Sequence, residues 1–180
     1  MLYTLALYVE NKSGVLARVA GALSGRGFNI DSLTVAKSLD AHFSQMTVVV
    51  DVDPSLIEQV MKQLSKLVNV VTVANLSEAP AVEREMLLVK VYLPADMRTR
   101  LLQEAEVFRA RVVDAAPDSY TLEATGDPDK LEAFLRVLEH YGRLETARTG
   151  TVALLRGMNV NSRNGNGAKG AVPQGGPILI

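Results

Sequence analysis

The chain contains no cysteine and no tryptophan. The first absence removes disulfide staples, thiolate nucleophiles and sulfur-ligated metal sites together. Aromatic residues fill only 5% of the 180 positions, too few for the stacking platforms on which single-stranded nucleic acids lie. Neither sign of charge dominates: 19 Lys and Arg stand against 20 Asp and Glu, a formal net charge of −1. There is no basic field to release counterions from phosphates. No apolar run approaches the roughly 20 residues that cross a bilayer, and Leu2 to Val9 already reads as a strand rather than as part of a leader. Histidine is scarce too. His42 falls in a predicted turn and His140 near a predicted helix end, neither with a second ligand at metal spacing. No serine–histidine–acid set can be assembled, and Asp51, Asp53 and Glu58 read as capping and solvated helix charge. These absences predict a cytoplasmic protein with no catalytic residue, no metal, no cofactor of its own, and no membrane or nucleic-acid partner.

What is present is ample core material, 48% hydrophobic, in a repeated order of elements. Leu2 to Val9 is rich in strand formers, and a helix follows from about residue 14. Ile30 to Ala36 and Phe43 to Val52 read as strands joined by a polar turn. Asp53-Pro54 is a helix start, with aspartate as cap and proline in the first turn, before the stripe Leu56, Ile57, Val60, Met61 and Leu64. Val68 to Leu76 is a further strand. The order is βαββαβ, a ferredoxin-like unit.

Ser77 to Ala81 is a short polar break, after which the order repeats. A strand over Glu85 to Leu93 precedes a helix over Ala95 to Phe108 with Met97, Leu101, Ala105 and Phe108 inward. Arg111 to Ala116 and Tyr120 to Ala124 form a hairpin, and Asp127-Pro128 starts a helix facing inward through Leu131, Phe134, Leu135 and Leu138. Thr151 to Leu155 is read as the closing strand. The expectation is therefore α+β: two consecutive ferredoxin-like βαββαβ domains over 1–77 and 83–157, and a disordered tail over 158–180. That tail carries five glycines, four asparagines and two prolines with no acidic residue. Each half is small enough to be marginally stable alone, and open sheets have edges to cover, so a homodimer is expected.

The stretch from Asn11 to Ile30 carries the most chemical information. Asn11 and Ser13 can cap a helix whose apolar face is Val15, Leu16, Val19, Ala20 and Leu23. Gly14 leaves room for a ligand to reach the first unpaired amides of Val15 and Leu16, where donors and dipole together favour a carboxylate. Gly27 suits the left-handed residue that stops the helix, and Phe28, Asn29 and Ile30 then open an extended segment.

These residues carry a resemblance. Glu10 to Val19, Arg26 to Ala36 and Lys62 to Val68 resemble ACT domains, a family of amino-acid sensors. With Val82 to Lys90, Ala147-Arg148-Thr149-Gly150 and Arg156-Gly157, the chain more specifically resembles the small regulatory subunits of acetolactate synthase from about Met1 to Gly157. That resemblance implies an ACT domain binding a branched-chain amino acid, valine, through Asn11, Gly14, Val15, Leu16, Asn29 and Ile30, with Asn29 contributed by the neighbouring subunit. It also implies a catalytic large subunit as partner, which binds thiamine diphosphate, magnesium and FAD. The small subunit would stimulate that partner and confer feedback inhibition by valine. The alternative reading is an ACT-domain sensor of another amino acid regulating a different client enzyme.

Two superficial motifs are set aside. Arg26-Gly27-Phe28 echoes the aromatic motif of RNA-recognition modules, but it precedes the second strand and the third strand lacks stacking aromatics. Gly165, Gly167 and Gly170 spell a dinucleotide fingerprint, yet prolines follow where a helix must begin.

Overall fold

The computed structural model describes residues 1–156, and the expectations for the tail and its glycine motif lie outside them. The described chain forms two compact units: Met1–Val82 together with residues 153–156, and Glu83–Val152.

In the first unit, strand β1 (Leu2–Glu10) is buried at seven consecutive positions, the signature of a central strand covered on both sides. Helix α1 (Val15–Ser24), strands β2 (Asn29–Lys37) and β3 (Phe43–Asp51), helix α2 (Ile57–Leu64) and strand β4 (Val70–Asn75) follow. The sheet order is β2-β3-β1-β4, antiparallel throughout. Leu5, Leu7, Met46, Val48 and Val50 meet Val15, Val19, Leu23, Val60 and Leu64 from the two helices. Asp53 caps as expected, accepting from the Ser55 amide at 2.8 Å, although the chain first makes a short 3₁₀ turn at Pro54–Leu56.

In the second unit, β5 (Ala81–Tyr92), α3 (Arg98–Val107), β6 (Arg111–Ala116), β7 (Ser119–Gly126), α4 (Pro128–Leu138) and β8 (Leu144–Arg148) repeat the order in a sheet β6-β7-β5-β8. Asp127 caps α4 through the Lys130 amide at 2.9 Å. Leu101, Leu131, Phe134 and Leu138 bury against Leu87, Val89, Val91 and Leu122, with Phe108 and Phe134 in ring contact at 4.8 Å.

Two details depart from the sequence expectation. The fourth strand of the second sheet is β8, whose residues Leu-Glu-Thr-Ala-Arg show no apolar alternation and so carried no strand signal. The segment expected to close that sheet is β9 (Val152–Leu155), which pairs with β5. Ala153 is buried with Ala6 and Leu76 of the first unit.

Candidate functional site

The loop from β1 into α1 differs from its expected form in one respect. Gly14 itself is the N-cap, at φ 79°, and no side chain caps the helix. The Asn11 side chain makes no cap bond and instead donates from Nδ2 to the Ala41 carbonyl at 3.0 Å, while its backbone N–H donates to the His42 carbonyl at 2.7 Å. Both bonds fix the loop to the β2–β3 turn. A helix start without a side-chain cap leaves its first-turn amides available to an external acceptor. The Val15 amide has only a long contact, 3.4 Å, to the Lys12 carbonyl. A Cβ placed on Gly14 would have no atom within 4 Å, so the approach to these amides is open.

Val15 is buried while Leu16, expected on the inward stripe, is 44% exposed. It stands at the helix start facing solvent, where an apolar ligand group can cover it. Gly27 stops the helix as expected: its φ is 78°, its N–H reaches the Ser24 carbonyl and the Phe28 N–H the Leu23 carbonyl. This is the paired pattern of a glycine-terminated helix.

Asn29 and Ile30 are not brought to this helix start. Asn29 is opposite Asp51, which is opposite Leu2; Glu10, before Asn11, is opposite Phe43. Eight strand steps at about 3.3 Å separate the two ends, roughly 26 Å. Asn11, Gly14, Val15 and Leu16 therefore cluster at one end of the first sheet, and Asn29 and Ile30 begin β2 at the other. Asn29 is exposed there, on an edge strand, and Ile30 is half-buried against the core.

Three residues beside the helix start were not singled out from sequence. Asn69, buried, accepts from Arg18 Nη1 through Oδ1 and donates through Nδ2 to the Glu10 carboxylate. Glu10 also pairs with Lys12 at 3.0 Å. Its carboxyl is held below the usual range, chiefly by the Asn69 hydrogen bond and then by Lys12. The available signal was a lone asparagine inside the apolar run Leu67-Val68-Asn69-Val70-Val71. A polar residue in such a run needs partners when buried.

The two histidines are exposed, His42 against Asp40 at 2.8 Å and His140 with Nδ1 3.0 Å from the Arg136 carbonyl at the end of α4. A groove of about 500 Å³ between α3 and that helix end is lined by Arg100, Glu104, Arg136 and His140 among others. Among the described residues, no group of three His, Asp or Glu is placed to hold a metal, and no helix is long and apolar enough to cross a membrane.

Comparison with known proteins places each unit. Residues 5–72 match a family described as an AHAS small subunit-like ACT domain, and residues 84–157 one described as the small subunit of acetolactate synthase. The chain is 48% identical to a probable acetolactate synthase small subunit of Archaeoglobus fulgidus, over 87% of this chain and 98% of that one. It is 48% identical to the acetolactate synthase small subunit of Mycolicibacterium smegmatis, over 86% and 91%. The crystal structure of the small subunit from Thermotoga maritima superposes with a TM-score of 0.78 at 39% identity, covering 87% of this chain and 98% of that chain.

Proposed function

The chain belongs to the family of acetolactate synthase small subunits, and from that premise we propose that it is a non-catalytic regulator that binds valine and transmits its presence to a catalytic large subunit. The sensing domain is residues 1–77 and the second domain 83–157. The regulated enzyme's thiamine diphosphate, magnesium and FAD belong to the large subunit. This chain stimulates that subunit, and valine reverses the stimulation in the cytoplasm.

The observation that carries this reading is the uncapped helix start at Gly14, open to solvent and beside an exposed leucine. The first-turn amides at Gly14, Val15 and Leu16 receive the amino-acid carboxylate, and Asn11 Oδ1 accepts from the ammonium. Leu16 borders the side chain, and Ile30 of the partner subunit does so only where the dimer carries it in beside the partner subunit's Asn29. Burying an isopropyl group contributes about 1.5–3 kcal/mol, which favours valine over alanine by roughly one to two decades.

Asn29 completes the site from a second copy. Lys37, at the far end of β2, lies level with Ser44 and Val9, close to the helix start. Antiparallel pairing of β2 edges in a homodimer carries the partner's Asn29 toward that end, so each dimer holds two sites, each built from both chains. A ligand bridging two subunits favours one relative arrangement of them. Coupling of about 1–3 kcal/mol between that site and the large subunit is enough for regulation.

Co-expression with a large subunit, purification through one tag and a pyruvate assay test the proposal. The pair is expected to exceed the large subunit's own rate, and millimolar valine to suppress the gain. The small chain alone should not turn over pyruvate with thiamine diphosphate and magnesium. Turnover by the isolated chain refutes a regulatory role, and stimulation that valine cannot reverse refutes the ligand.

A further inference from the structure

Resting on the amino-acid-binding reading of the helix start, we infer that Asn69 is a positioning residue for that site, holding both flanks of the ligand-binding loop through one carboxamide. The loop and first helical turn, residues 11–17, lie between Glu10 and Arg18. Asn69, in the turn before β4, is distant in sequence from both and meets both. Its backbone carbonyl accepts from the Glu10 N–H at 2.9 Å, its Nδ2 donates to Glu10 Oε2, and its Oδ1 accepts from Arg18 Nη1. Asn69 is 9% exposed and its two side-chain bonds are part-buried, so its carboxamide is met by these partners more than by bulk water.

The chemistry is selective for this residue type. A carboxylate at position 10 needs a donor and a guanidinium at position 18 needs an acceptor, and a carboxamide offers both from one position. Aspartate offers two acceptors and would set a second carboxylate against Glu10. Leucine offers neither. On the opposite side the loop is held by the Ala41 and His42 carbonyls through Asn11. The amides at the helix start are thus braced from two directions before any ligand arrives, which lowers the ordering cost of binding.

The test uses the full-length chain, valine as the probe, and isothermal calorimetry beside amide hydrogen exchange of residues 11–18. Asn69→Asp is expected to weaken valine binding at least tenfold and to speed exchange of that segment at least tenfold in the ligand-free chain. Glu10→Gln added to Asn69→Asp restores a donor facing the introduced carboxylate, and should bring affinity back to within about threefold of wild type. Arg18→Met leaves the fold's interior untouched, and is expected to weaken binding roughly threefold to tenfold with a melting temperature close to wild type. Wild-type affinity in both Asn69→Asp and Arg18→Met, even with a lowered melting temperature, overturns the inference and leaves Asn69 a structural residue. Failure of the Glu10→Gln pairing to rescue overturns the donor–acceptor argument. If the wild-type chain itself does not bind valine, the functional reading fails, while local exchange in Asn69→Asp still decides whether Asn69 holds the loop.

Discussion

At the scale of single residues, two glycines with left-handed φ ask for opposite experiments. Gly14 has φ 79° and open space where a side chain would go, so an added side chain meets only backbone strain. Aspartate is among the residues that tolerate this region best. Gly14→Asp should therefore keep the fold and partner binding while its carboxylate competes for the first-turn amides and repels the ligand's own. Calorimetry is expected to show no valine binding; wild-type affinity would remove the helix start from the site. Gly142 has φ 151°, and a Cβ there would lie 2.1 Å from the Tyr92 carbonyl oxygen, a backbone atom that cannot step aside. Gly142→Ala is expected to cost at least about 2 kcal/mol, seen as a fall of roughly 10 °C in the thermal transition of the second unit. A near-normal melt would contradict the close approach.

Among elements, the helices that begin with Asp-Pro are the simplest to test. Asp127 satisfies the Lys130 amide, so Asp127→Ala should lose about 1 kcal/mol, or roughly 4–8 °C in a unit of this size. Asp53 adds a pH dependence, because bonds from the Ser55 hydroxyl and amide hold its carboxyl below the usual range. A depressed folded-state pKa gives stabilisation that is complete above the unfolded-state value and is lost as pH falls through the folded-state value. Melts between about pH 5 and pH 2.5 should show this acid-side loss in wild type and less of it in Asp53→Asn. An identical slope in the variant would assign the loss to other carboxylates. These caps were legible in sequence because aspartate, proline and the following apolar stripe all point to the same helix start. The start of α1 was legible as a helix but not in its capping: Asn11 is the right residue type, and only the fold shows Ala41 and His42 within its reach. Strand β8 was illegible because it is a polar edge held by its neighbour rather than by its own alternation. Asn69 was visible as an oddity, but its partners are 51 and 59 positions away, beyond any local pattern.

For the whole molecule, the roughly 26 Å between the helix start and Asn29 within one chain makes the shared site testable by complementation. Gly14→Asp disables one half-site and Asn29→Ala weakens the other by about 1–3 kcal/mol, yet a mixed dimer of the two variants contains one site with neither change. Valine binding is expected to reappear when the two purified variants are mixed and allowed to exchange subunits, and to be absent or weak in each alone. Absence of recovery after verified exchange would place the whole site in one chain. The path of β9 has a different kind of consequence. The chain leaves the first unit near Val82 and rejoins it at Ala153, where Ala153 covers Ala6 and Leu76 and Arg156 bonds to the carbonyls of Pro80 and Ala81. The second unit is thus spliced into the first rather than appended to it, and its exit strand β9 runs beside its entry strand β5. Cutting the gene after residue 82 discards part of the first unit's own cover, whereas excising 83–152 and bridging the gap with a few residues keeps it. A domain boundary drawn by sequence order alone therefore misassigns residues 153–156, since the first unit is closed by a leading and a trailing stretch of the chain together.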